Sequence, residues 1–91
     1  MKEKISLNQI KKIINIIEGI VYEQMTLKPD GRIIANKERA LENTLNTITS
    51  DIKRQIEIQE TISNGLLCKG ITYKAICEEF RKLGYEIIEG D

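Results

Sequence analysis

The chain contains no histidine and no tryptophan. Without His it lacks the usual general base, the commonest metal ligand and the usual partner of a Ser or Cys nucleophile. Cys68 and Cys77 are its only cysteines. Two thiols with no imidazole cannot close an ordinary structural zinc site. Gly65, Gly70 and Gly84 are spaced as helix ends and a connector, so no phosphate-cradling glycine loop is present. Net charge is zero, 14 basic residues against 14 acidic. A dedicated nucleic-acid binder usually has a basic excess, because neutralising phosphate supplies most of its affinity. Long apolar runs are also missing. The stretch 13–21 is interrupted by Asn15, Glu18 and Gly19 and is too short and polar to cross a bilayer. No export signal is read in the opening residues, so the expected location is the cytoplasm, with both thiols reduced.

Carboxylates are the remaining catalytic material. Glu38 with Glu42, and Glu57 with Glu60, fall on shared helical faces. Such pairs hold a divalent cation only when another element adds oxygens, and they read here as solvated faces. The expectation is a protein that is not an enzyme and uses neither cofactor nor metal.

What the chain does have is isoleucine. Its 91 residues carry 41% hydrophobic and 31% charged side chains with a single Phe and three Tyr, enough for one globular domain and one core. The bias toward Ile, Lys, Asn and Glu points to an A+T-rich coding sequence, as in a low-GC bacterium or its phage.

Helical spacing organises the apolar residues. Ser6 and Gln9 have the spacing of a capping box, with Ile5 and Ile10 placed as its hydrophobic staple. From there Leu7, Ile10, Ile14, Ile17, Val21 and Met25 recur at three- and four-residue steps. Ile13, Ile16 and Ile20 widen that stripe beyond the ≳100° arc that one core needs. The extra width calls for a second covering surface, either a third helix or another subunit. Lys28-Pro29-Asp30-Gly31 is a strong turn signal, flanked by residues 25–27 and 32–34 that could alternatively pair as a small hairpin. Asn36 is the expected cap of a second helix whose buried face is Leu41, Leu45, Ile48, Ile52, Ile56 and Ile62, with a kink allowed at Thr47, Thr49 and Ser50. Asn64-Gly65 is its expected end. Thr72 caps a third helix with Ile71 and Ile76 as staple and Tyr73, Ile76, Cys77, Phe80 and Leu83 inward. Gly84 supplies the left-handed end, and Tyr85 is placed to touch Phe80. The expected fold is all-α: an antiparallel helical hairpin (residues 7–27 and 37–63) plus a shorter third helix (73–83), oligomeric. The whole of 1–91 forms one domain, with a turn at 28–36, a connector at 64–72 and a tail at 85–91 that allows one strand.

Residues 70–85, Gly70-Ile71-Thr72-Tyr73-Lys74-Ala75-Ile76-Cys77-Glu78-Glu79-Phe80-Arg81-Lys82-Leu83-Gly84-Tyr85, resemble the first helix of the helix-turn-helix in serine-recombinase tails and in plasmid or conjugation accessory proteins. The resemblance implies a DNA-binding accessory factor of a mobile element. Lys69, Lys74, Arg81 and Lys82 would contact phosphate, with Lys11 and Lys12 of a second copy. In those proteins a reading helix follows the glycine, whereas only seven residues with three acids follow here, so this stands as the alternative. A third reading is an oligomeric small-ligand sponge with pockets between subunits. The leading expectation is a small helical interaction protein that self-associates through Ile13, Ile16 and Ile20. It would act on a protein partner as a regulator, inhibitor or adaptor, with no membrane involved.

Overall fold

A computed structural model describes residues 3–68 and 73–89. In chain order they form strand β1 (Glu3–Ser6), helices α1 (Leu7–Met25), α2 (Gly31–Ile48), α3 (Ile52–Cys68) and α4 (Tyr73–Lys82), and strand β2 (Tyr85–Ile88). The protein is mostly helical, as the periodicity predicts, with one small parallel strand pair added.

The start of α1 follows the predicted chemistry. Ser6 Oγ accepts the Gln9 amide at 3.1 Å, and Gln9 Oε1 accepts the Ser6 amide at 2.9 Å. Two otherwise orphaned donors are thus satisfied reciprocally. Ile5 and Ile10, the staple, are both buried. At the far end α1 stops at Met25, and Thr26 caps it through its amide and hydroxyl, both donated to the Glu23 carbonyl.

The second helix departs from expectation at its start. Asp30, not Asn36, is the cap, its carboxylate accepting the Arg32 amide at 2.9 Å. Pro29 sits just outside the helix, where its missing N–H costs nothing. Residues 31–34 are therefore helical, which excludes the small hairpin alternative.

The long helix expected over residues 37–63 is in fact two. Thr49 is extended, its hydroxyl accepts the Asp51 amide at 3.1 Å, and Asp51 caps α3 by accepting the Lys53 amide at 3.0 Å. Short polar side chains here offer the backbone partners that a continuous helix would deny it. Beyond this break the helical phase is reset. Ile58 and Ile62 enter the core, whereas Ile52 and Ile56, predicted to be inward, lie outside it. Asn64-Gly65 does not end the helix either, since α3 continues to Cys68.

α1 and α2 run antiparallel, fixed near one end by Gln9 Nε2 donating to Thr47 Oγ1 at 3.3 Å and near the other by Lys37–Glu23 at 3.6 Å. The Lys37 side chain crosses close over Gly19, where a Cβ would lie 3.3 Å from it and would make it shift slightly. α3 packs against α1 and α4, and β2 pairs in parallel with β1 in the register Glu3–Tyr85 through Ser6–Ile88. The ends of the described chain are thereby tied together. Gly84 turns α4 into β2 at φ 96°, a conformation that favours glycine. The predicted Thr72 cap and Ile71 staple lie outside the described residues.

One core results. Ile10, Ile13, Ile14 and Ile17 from α1 meet Leu41 and Leu45 from α2, Ile58 and Ile62 from α3, Ile76, Cys77 and Phe80 from α4, and Ile5 and Tyr85 from the strands. The width of the α1 stripe is largely explained by this: the helix is covered by α2 on one side and by α3 on another.

Candidate functional site

Burial along the hairpin stops partway. α1 has no buried residue after Ile17, and α2 has none before Leu41. The distal half of the hairpin therefore extends past the core as an arm, in a molecule with extents of 45 × 27 × 24 Å. A groove of about 550 Å³ lies between this arm and α3. Ile17, Ile20, Val21 and Leu41 contribute to it from the hairpin, and Ile52 and Ile56 from α3. The last two leave 70% and 50% of their surface exposed.

The polar lining is one-sided. Glu38 and Glu42 line the groove with Gln24, Gln55, Gln59 and Ser63, and no lysine or arginine does so among the described residues. Neither Glu38 nor Glu42 forms an ion pair among the described residues. Apolar surface with an uncompensated acidic rim fits an apolar segment that carries basic side chains. The acids Glu38 and Glu42, paired on one helical face by their spacing, thus line a groove of mixed apolar and polar character. Among the described residues no group of three or more His, Cys, Asp or Glu side chains gathers to hold a metal. No helix among the described residues is long and apolar enough to cross a membrane.

The exposed apolar side chains cluster as well. Tyr22, Met25, Leu27, Ile33, Ile52 and Ile56 are the large hydrophobics left in solvent among the described residues. The first four belong to the hairpin's distal end and the last two to the adjacent wall of the groove. Exposed apolar residues scattered singly need no explanation, but ones gathered at one end of a small molecule do.

The three isoleucines expected to form one surface are separated. Ile13 is 0% exposed and belongs to the core, so it is unavailable to a partner while the chain keeps this fold. Its position on the helix, between the faces covered by α2 and α3, is the reason. Ile16 and Ile20 are half-buried against the core, and Ile20 also lines the groove. Periodicity places Ile52 and Ile56 on the buried face, where the structure has them lining the groove, and passes over Ile58. The signal for them was the run Thr49-Ser50-Asp51, a cluster of N-capping residues that permits a new helix start. Comparison with family models, with curated proteins and with solved structures finds no match.

Three of the four cations of the DNA alternative stand on one helix. Lys69 lies outside the described residues. Lys74, Arg81 and Lys82 are exposed on α4, but Lys82 Nζ is engaged with Glu79 at 3.2 Å and Glu78 is exposed on the same helix. After Gly84 the chain enters β2, where the helix-turn-helix pattern has its reading helix.

A second cluster surrounds Tyr85. Its ring meets Phe80 edge to face at 5.8 Å, and the Arg54 guanidinium lies 5.7 Å from its centroid. Arg54 is held there by donating to the Leu83 carbonyl at 3.1 Å and by Glu57 at 3.1 Å. The Tyr85 hydroxyl is buried and makes no hydrogen bond of good geometry among the described residues. Burial, and then the nearby Glu3 carboxylate, push its pKa from 10.0 up to about 12. With the folded-state pKa raised, the folded chain keeps a proton that the unfolded chain loses. Stability should therefore fall as pH rises from about 10 through about 12. Tyr85→Phe removes this fall and, by deleting a buried unsatisfied hydroxyl, should leave stability unchanged or raise it by about 1 kcal/mol at pH 7. Urea titrations of both proteins at pH 7 and at high pH check this. A loss of more than about 1 kcal/mol at pH 7 would show that the hydroxyl has a partner. This cluster joins β2, α3 and α4 and is structural.

Proposed function

We propose that the protein is a non-enzymatic helical interaction protein that works through the distal arm and its groove, engaging a larger protein partner as a regulator or adaptor. One observation carries the reading: the large apolar side chains left in solvent gather on the arm and on the adjoining wall of one groove. An amphipathic helix laid into such a groove presents apolar anchors at i, i+3, i+4 and i+7, and its flanking cations meet Glu38 and Glu42. Neutral overall charge and the missing histidine support binding over catalysis. No specific observation favours the nucleic-acid alternative, given the mixed charge of α4.

The test is selection of helical peptides from a random library displayed against the immobilised chain. Enriched peptides should be amphipathic and basic, should compete with one another, and should lose at least tenfold in affinity to Ile52→Lys/Ile56→Lys, which removes two apolar anchors and sets like charges against the peptide. These two positions are exposed, so the substitution should leave the fold intact, as circular dichroism can verify. Failure to enrich any sequence, or binders indifferent to both substitutions, would overturn the reading.

A further inference from the structure

The hairpin tip offers what the groove lacks. Met25 and Leu27 stand exposed there beside Lys28 and Arg32. Neither cation forms an ion pair among the described residues. Asp30 lies between them, and its carboxylate is turned to capping α2 through the Arg32 amide. The tip therefore joins exposed apolar side chains to two cations and the one carboxylate that caps α2, and the groove joins an apolar wall to a polar one with two carboxylates and no cation among the described residues. We propose that the tip of one copy seats in the groove of a second copy, Lys28 and Arg32 meeting Glu38 and Glu42, so that the chain forms a two-fold dimer in which each groove is closed by the other's tip. This rests on the reading of the arm as an interaction element and adds how that element is covered when no other partner is bound.

Distance along the chain makes the exchange reciprocal. Ile20 in the groove and Met25 at the end of α1 are five residues apart, roughly 7.5 Å along the helix, and Leu27 follows just beyond that end. Two arms laid antiparallel across a dyad between those points place both tips at both grooves together. Such an isologous contact closes on itself, whereas a head-to-tail repeat of one tip and one groove would grow into a filament. A partner helix then competes with the second copy for one groove, and self-pairing sets how much of the chain is open to it.

Charge exchange tests the pairing. Lys28→Glu/Arg32→Glu alters the tip and Glu38→Lys/Glu42→Lys alters the groove. All four side chains are exposed, and circular dichroism confirms that each variant is folded. By analytical ultracentrifugation the native chain should dimerise, and added salt should weaken it. Each variant alone brings like charges together and should weaken self-association by about tenfold or more. An equimolar mixture restores both contacts and should recover the native dimer. A native chain that stays monomeric up to about millimolar concentration overturns the proposal. So does a mixture no more associated than its components. A dimer that persists unchanged in both variants overturns this pairing alone and leaves the interaction reading to the peptide selection.

Discussion

Phe80→Ala should lower the stability of the protein by about 3–5 kcal/mol, a large fraction of everything holding it folded. Phe80 is the single phenylalanine and is wholly buried. Its removal leaves a cavity that the surrounding isoleucines, stiff at χ1, collapse into poorly. It also takes away the edge-to-face partner of Tyr85, at 5.8 Å, a contact of about 0.5–1.5 kcal/mol beyond the area it buries. Because Tyr85 belongs to β2 and β2 pairs with β1, the loss reaches both ends of the described chain. A domain of this length has a total stability of about 5–14 kcal/mol, so the variant should be partly unfolded at 37 °C. Urea titration followed by circular dichroism measures the change. Phe80→Leu, which keeps most of the volume, should cost about 1–1.5 kcal/mol. A Phe80→Ala loss below about 1.5 kcal/mol would mean that α4 is not seated on the core as described.

The contrast between α4 and the middle of the chain shows which features were legible in the residues. α4 follows its pattern closely: Ile76, Cys77 and Phe80 turn inward, Gly84 takes the left-handed conformation, and Tyr85 meets Phe80. Each of these depends on partners within a few positions, so local spacing contains the answer. The capping box at Ser6 is legible for the same reason. The break at 49–51 is harder, since Leu41, Leu45, Ile48, Ile52 and Ile56 continue an apolar helical step across it. A periodic pattern states which residues could share a face, not whether the backbone stays helical between them. Thr49 and Asp51 decide that by hydrogen-bonding the amides of Asp51 and Lys53, and the consequence is the groove. β1 was hidden for another reason. A four-residue strand whose partner lies at the other end of the chain has no local signature, and its pairing depends on where the helices bring β2.

Placement of the α1 isoleucines leads to the second large effect. Ile13→Asp should unfold the protein, while Ile20→Asp should leave it folded and damage association instead. The two residues lie seven apart, two turns of one helix, and the apolar pattern treats them alike. Their surroundings differ. Ile13 is 0% exposed, so an aspartate there places a carboxylate in the core among isoleucines and leucines, with no cation in that core among the described residues. It must either be desolvated as an anion or take up a proton, and the cavity left by the lost isoleucine adds to the cost. The sum should exceed about 4 kcal/mol and rival the whole stability of the domain. Ile20 is half-buried at the edge of the groove, where an aspartate can reach water, and the expected cost is about 1–2 kcal/mol. The substitution takes an apolar anchor out of the groove and makes any segment seated there desolvate a carboxylate, a cost that outweighs the extra attraction which the new charge offers a basic side chain. Circular dichroism should therefore show a folded Ile20→Asp and an unfolded Ile13→Asp at pH 7. Lowering the pH toward 4, within the range where a carboxyl becomes neutral, should restore part of the helical signal of Ile13→Asp if desolvation of the charge is the main cost. Equal loss of helix in both variants would show that the arm is not a projecting surface but a continuation of the core.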